Sequence, residues 1–459
     1  MTEQNTEETL HRSLKERHIQ LIALGGAIGT GLFLGSAATI QSAGPSALLG
    51  YAVTGLFAFF IMRQLGEMVV DEPVAGSFSY FANKYCGRFW GYFSGWNYWV
   101  LYILVGMAEL SAVGQYIQFW FPSMPLWESA LICYVLINLL NIVSVKSYGE
   151  AEFWFAGIKV VAVIAMILFG GWLLVSGRAG PNAGVSNLWR HGGFFPNGMG
   201  GLITAIAPIM FSFGGLELVG ITAAEASDPG NTIPKATNRV IYRILIFYIG
   251  SLAILLSLYP WQNVVTGGSP FVLIFQALNH KAVAWVLNVV VLSAALSVYN
   301  SCVYTNSRML YGLAQQGNAP KFVTRVNKRG VPMIALGISA LVTGLCVLVN
   351  YLMKSAAFGF LMGLVVATLI LNWVLIAGIH LVFRRLKARE GKTSAFPSLG
   401  YPVTNILTLL FLAGLLVVMW QDSGLRMSVW LIPVWFIVLL VTYWFGIGMR
   451  QSGQRANPR

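Results

Sequence analysis

Long apolar runs separated by short polar segments set the pattern of this chain. A helix crossing a bilayer needs about 20 largely apolar residues. Runs of that kind fall at 19–41, 46–66, 90–118, 127–144, 152–176, 201–225, 241–261, 283–306, 333–352, 357–383, 402–420 and 428–447. The stretch 84–118 is dense in rings (Phe89, Trp90, Tyr92, Trp96, Tyr98, Trp99), as expected of a span leaving a membrane interface. The pattern predicts an all-α integral membrane protein of about 12 transmembrane helices. No hydrophilic stretch is long enough for a separate soluble domain.

Two of the runs are interrupted. The first reads Leu24-Gly25-Gly26-Ala27-Ile28-Gly29-Thr30-Gly31-Leu32, and the sixth Met210-Phe211-Ser212-Phe213-Gly214-Gly215-Leu216-Glu217. Glycine weakens a helix interior and permits unwound backbone. In a bilayer such backbone is tolerated only where protein buries it or where it lines a cavity. Two breaks in matching positions, each opening a group of five spans, fit the inverted-repeat transporter pattern. Each break frees N–H groups at the start of one half-helix and carbonyls at the end of the other. The N–H groups of Gly29, Thr30 and Gly31 suit a carboxylate. The carbonyls of Ala27, Ile28, Phe211 and Ser212 suit an ammonium. An α-amino acid carries both groups on one carbon and would satisfy both breaks together. The competing reading is that these glycines only let helices pack closely, as in the Gly25/Gly29 pair. A dinucleotide fingerprint is excluded, because no strand precedes Gly25 and the spacing is wrong.

Composition supports the membrane reading. Charged residues make up 10%, apolar residues 57%, and mean hydropathy is +0.70, against about 25% charged residues in a soluble domain. A disordered chain, a disulfide scaffold and a soluble multidomain enzyme are excluded. The net charge of +13 follows from topology rather than from nucleic-acid binding. With the N-terminus inside, Lys321, Arg325, Lys328 and Arg329 share one cytoplasmic loop, and Arg384, Arg385, Lys387, Arg389 and Lys392 another. The outer segments hold only Arg178, Arg190, Lys281, Lys354 and Arg426. That asymmetry places both termini in the cytoplasm and makes the basic loops topology signals and lipid-headgroup contacts. The acidic opening (Glu3, Glu7, Glu8) is not that of a removable signal peptide. Cys86, Cys133, Cys302 and Cys346 lie far apart, which argues against a disulfide or a metal centre. No phosphate-binding loop supports ATP-driven transport, and no catalytic constellation supports an enzyme.

The stretch from Ala43-Gly44-Pro45 through Gly66-Glu67 to Pro73 resembles the signature of bacterial and fungal amino acid permeases, within the amino acid–polyamine–organocation superfamily. The stretches Gly25 to Gly31, Phe211 to Glu225, Asn306-Ser307-Arg308 and Gly317-Asn318-Ala319-Pro320 resemble the same family. The likeness covers nearly the whole chain. It is nearest to the aromatic amino acid permeases, with phenylalanine permeases next. It implies a LeuT-like fold of two inverted five-helix repeats (19–176 and 177–383) and helices 11 and 12 (384–447), between cytoplasmic segments 1–18 and 448–459. It also implies a bacterial inner-membrane location and symport, with no cofactor and the proton as coupling ion.

Few ionisable residues lie deep in the spans, where each is a functional candidate. Glu109 shares a stripe of span 3 with Tyr102, Gly106 and Val113, and Gly106 leaves room for a ligand. Its carboxylate holds substrate, carries a proton, braces the breaks or bonds neighbouring backbone. Glu217 follows Gly214-Gly215 in the first turn of a half-helix, where the dipole favours it as a functional or capping group. Glu67 and Glu225, near span ends, suit gating or loop anchoring. Lys159 is the only basic residue deep in a span. It either snorkels to the surface or points inward against spans 1 and 8. The resemblance implies that a lysine here stands where sodium-coupled relatives hold an ion. His380 is expected at the interface. An aromatic substrate needs an apolar slot with ring contacts, for which the candidate walls are Tyr102, Gly106, Phe213, Val298, Tyr299, Phe358 and Met362. The expected function is proton-coupled uptake of phenylalanine, tyrosine and tryptophan. The alternatives are a permease for phenylalanine alone, for another amino acid or for γ-aminobutyrate, and, from another class, a channel or an intramembrane enzyme.

Overall fold

The computed structural model describes residues 28–455 except 75–76, 144, 218–227, 265–266 and 328–329. Gly25, Gly26, Ala27 and Glu225 lie outside the described residues. In chain order the helices are α1 (Thr30–Phe33), α2 (Gly35–Ala43), α3 (Ala47–Asp71), α4 (Ser77–Cys86), α5 (Arg88–Gln118) and α6 (Leu126–Val143). They continue with α7 (Val145–Val175), α8 (Asn187–Arg190), α9 (Gly198–Phe211), α10 (Pro229–Arg243) and, after a π turn at Ile244–Gly250, α11 (Ser251–Leu258). Then come α12 (Pro270–Ala277), α13 (Lys281–Gln315), α14 (Met333–Met353), α15 (Ala357–Arg389), α16 (Val403–Gln421) and α17 (Arg426–Arg455). Among the described residues there is no strand.

Eight helical runs among the described residues are long and apolar enough to cross a membrane, and Leu126–Ile142 and Gly198–Phe211 are shorter apolar helices. The protein is thus an all-helical, multi-pass membrane protein. Several helices outrun the apolar pattern that predicted them. The helix expected at 241–261 already starts at Pro229, because Asp228 accepts from the Asn231 N–H and proline fits the first turn. Apolar side chains of α6 (Leu136, Leu139, Leu140) and α17 (Val434, Ile437, Trp444) face outward, the surface that lipid covers.

Burial places the site. The apolar stretch of α5 is 72% buried and that of α17 only 6%. α5 runs through the centre, packed against α13 and α15 along most of its length and against α4, α6 and α14 besides. α2 packs on α9, so the two interrupted helices lie side by side.

A buried polar cluster fastens α3, α15, α16 and the 396–398 segment together. Glu67 of α3 is fully enclosed. Its Oε2 receives the Ser398 N–H at 2.6 Å and lies 2.9 Å from His380 Nε2, and its Oε1 receives Arg384 Nη1 at 2.9 Å. Asn405 Nδ2 donates to the Ala377 carbonyl and to His380 Nδ1, which sets the ring hydrogen on Nε2, facing Glu67. Arg63 donates to the Pro397 carbonyl and stacks on Phe396. The sequence put His380 at the membrane interface; it is wholly inside the protein, because the chain after α15 folds back over it.

Candidate functional site

The two breaks meet beside α5. Gly29 caps α1 in extended backbone, and α9 ends at Phe211 in a run of turns over 212–217. Within that run Gly215 has φ +92°, a conformation glycine enters without steric penalty. A Cβ on Gly31 would lie 2.6 Å from Ser212 Cα, so the breaks touch backbone to backbone and only glycine fits. Between them and α5 and α13 opens a cavity. Its wall combines bare backbone at Gly29, Gly31, Gly214 and Gly215 with Tyr102, Val105 and Glu109 of α5, Phe211 and Ser212 of α9 and its turn, and Val298 and Ser301 of α13.

The other expected residues stand around it. Ile28 is fully buried and Thr30 faces Glu109. Phe358 packs edge-on against Phe211 at 5.9 Å between centroids, with Met362 buried one turn on. Gly106 is not in the lining: a Cβ there would meet the Tyr299 ring at 3.2 Å, so that ring already fills the room. Tyr299 is itself buried and accepts from Asn138 Nδ2 at 2.7 Å. Phe213 lies behind the break, stacked on Tyr248 at 5.0 Å. Glu217 is fully enclosed and outside the lining.

Two buried carboxylates bracket the cavity. Glu109 Oε1 accepts from the Thr30 hydroxyl at 2.9 Å and lies 3.4 Å from the Thr30 N–H. It thus occupies the anion position at the head of α1 that the sequence assigned to a substrate carboxylate. On the far side Lys159 points inward, fully buried. Its Nζ donates to Ser297 Oγ at 2.9 Å, Ser297 Oγ lies 2.8 Å from both oxygens of Glu152, and Nζ and Glu152 Oε1 are 4.0 Å apart. Ser301, one turn along α13, hydrogen-bonds the same carboxylate and lines the cavity. Lys159 therefore does not snorkel. It sits in a hydrogen-bonded cluster one side chain from the cavity, and its charge also attracts Glu109.

Sequence reasoning missed Glu152, Ser297, Ser301, Val105, Tyr51 and Tyr248. The first three carried a usable signal. Glu152 and Lys159 are seven residues apart, and Ser297 and Ser301 four apart, spacings that put each pair on one helix face. Lys159 is also not the only buried cation among the described residues. Arg243, placed by the apolar pattern at the edge of span 7, is 3% exposed.

A model of the family described as amino acid permease matches residues 18–452. The chain belongs to the amino acid permease family. It is 65% identical over 438 residues to the aromatic amino acid transport protein AroP of Escherichia coli (strain K12), covering 95% of this chain and 96% of that protein. It is also 65% identical over 443 residues to AroP of Salmonella typhimurium (strain LT2), covering 96% of this chain and 97% of that protein. A more distant relative is the uncharacterized amino acid permease YtnA of Bacillus subtilis (strain 168), 43% identical over 456 residues, covering 99% of this chain and 98% of that protein. The permease family and the helical architecture make the chain a transport protein and not an enzyme.

Proposed function

We propose that this permease imports the aromatic L-amino acids phenylalanine, tyrosine and tryptophan by proton symport through alternating access. The observation that carries the reading is the cavity where both interrupted helices meet. It pairs bare backbone and polar groups with the apolar and ring walls of Tyr102, Phe211 and Val298. The 65% identity to proteins named for aromatic amino acid transport supports the substrate class. In this reading the N–H groups of Gly29, Thr30 and Gly31 receive the substrate carboxylate. The carbonyls of Ala27, Ile28, Phe211 and Ser212 receive the ammonium. Tyr102 and the rings near Phe211 hold the side chain, with Phe213 and Gly214 shaping the turn and Gly106 the packing behind it. Glu109 yields the head of α1 to the substrate.

The proton is the coupling ion, and no cofactor is needed. Lys159 is the foremost carrier because it lies buried in the Ser297–Glu152 cluster that Ser301 joins to the cavity wall, with Glu109 and Glu217 as further coupling or gating groups. The assignment extends to a LeuT-like arrangement of 12 spans, as two inverted repeats (19–176 and 177–383) and two further helices (384–447). It also extends to the bacterial inner membrane, with both termini in the cytoplasm and lipid headgroups at the basic loops. The test is uptake of labelled phenylalanine into proteoliposomes, competed by each of the twenty amino acids. Competition by tyrosine and tryptophan and not by lysine or glutamate supports the reading; uptake that ignores both aromatic competitors refutes it.

A further inference from the structure

Below the second break, α10 does not run on as an α-helix. Residues Ile244–Gly250 form a π turn. At 3.6 residues per turn, positions five apart point about 140° away from each other. A turn closed by i→i+5 bonds brings them nearly into line. Arg243 and Tyr248 thereby share a face, and the Arg243 guanidinium hydrogen-bonds the Tyr248 side chain. The Tyr248 hydroxyl donates to the Ser212 carbonyl at 2.8 Å. Its ring packs against both Tyr51 at 5.6 Å and Phe213 at 5.0 Å, and the Tyr51 hydroxyl lies 3.4 Å from Ser212 Oγ. Arg243 and Tyr248 are 3% and 0% exposed, and neither lines the cavity.

The polarity of this chain of bonds is fixed. A guanidinium only donates, and a phenol has a single proton. With Arg243 donating to its oxygen, Tyr248 directs that proton to the Ser212 carbonyl. A carbonyl has two lone pairs. One is committed to Tyr248, which fixes the orientation of the carbonyl, and Ser212 itself lines the cavity. We propose that Arg243 and Tyr248 are positioning residues for substrate recognition: Arg243 orients the Tyr248 hydroxyl, and Tyr248 aims the Ser212 carbonyl at the ammonium of the bound amino acid. This rests on the reading of the cavity as the amino acid site.

The test is the KM and maximal rate of phenylalanine uptake in proteoliposomes for wild type, Tyr248→Phe, Arg243→Met and their double variant. Tyr248→Phe keeps the stacked ring and should raise KM about tenfold, with the maximal rate within about twofold of wild type. Arg243→Met should raise KM by less. The double variant should be no worse than Tyr248→Phe, because Arg243 acts only through the hydroxyl. Losses that add, or a wild-type KM in Tyr248→Phe, overturn the proposal. If Tyr248→Phe does not fold, Arg243→Lys decides: a donating cation should recover most of what Arg243→Met loses, and equal KM values for the two overturn the proposal. Wild-type uptake in the same vesicles separates the two levels. If wild type takes up no phenylalanine, the reading of the site has failed, not merely its positioning.

Discussion

Two buried carboxylates of this protein are both enclosed by helices, yet they are bonded in different ways. Glu67 is locked. Both its oxygens are engaged by a guanidinium, a histidine and a backbone N–H, and the histidine is fixed in turn by Asn405. A guanidinium stays charged at any accessible pH, so Glu67 keeps a permanent cation at one of its oxygens. Glu152 is joined to its cation through a serine hydroxyl, with the ammonium 4.0 Å away. A hydroxyl can donate or accept, and a lysine can lose its proton where an arginine cannot. The first arrangement suits an anchor. The second suits a group that exchanges a proton and survives the exchange.

The largest expected effect comes from breaking the second cluster. Lys159→Ala strands Glu152, and removing one partner of a buried pair typically costs about 3–5 kcal/mol. Melting temperature should fall, and accumulation driven by a pH gradient should vanish. Adding Glu152→Gln should recover much of the melting temperature without restoring accumulation. A Lys159→Ala protein that still concentrates phenylalanine in response to the gradient would show that the proton travels elsewhere. Glu67→Ala sharpens the contrast. It leaves Arg384 and His380 without their acceptor, a loss of similar size for a buried network, about 3 kcal/mol. The ratio of protons to substrate in the surviving protein should nevertheless equal that of wild type. A changed ratio would make the anchor part of the coupling path.

Gly31→Ala comes next. Its Cβ would meet Ser212 Cα at 2.6 Å, backbone that cannot swing aside, and overpacking of this kind costs about 1–3 kcal/mol. Phenylalanine affinity should drop while the protein still inserts, and wild-type affinity would mean the breaks do not need to touch. Tyr102→Phe should be milder, about 1 kcal/mol. The loss should fall on tyrosine or tryptophan uptake, whose polar tips need a partner, and leave phenylalanine unaffected; an equal drop for all three would assign Tyr102 to the fold alone. Smallest is Lys84→Ala, which removes an ion pair to Glu72 whose partners are 43% and 30% exposed. Partial burial would raise the Glu72 carboxyl, but Lys84 and the Tyr80 hydroxyl outweigh it and hold the group below its usual range. Being exposed and screened, the pair is worth less than about 1 kcal/mol, and neither melting temperature nor uptake should shift measurably.

The apolar pattern located the helical stretches because membrane spans need long apolar runs, and the glycines of both interrupted helices located the cavity because bare backbone is rare in such runs. Ends were harder to place. Asp228 and Pro229 start a helix in a polar sequence that hydropathy does not register. Partner choice was harder still. Glu152 reads as a residue at the edge of an apolar run, and only the packing of α7 on α13 reveals that it faces Ser297. His380 reads as interfacial because nothing local marks the return of 396–398 across it. Arg243 and Tyr248 share a face only because of a π turn, and no periodicity of 3.6 residues announces one. What the sequence conceals, in each case, is a contact between elements distant along the chain or a departure from regular helix geometry.

The central claim is that phenylalanine and a proton cross together. It is tested most directly by trapping a pH indicator inside proteoliposomes of the wild-type protein, clamping the membrane potential to zero and adding phenylalanine outside. Internal acidification that saturates with phenylalanine, recurs with tyrosine and tryptophan, and is absent with lysine is the predicted result. Uptake of labelled phenylalanine with no change in internal pH would contradict it.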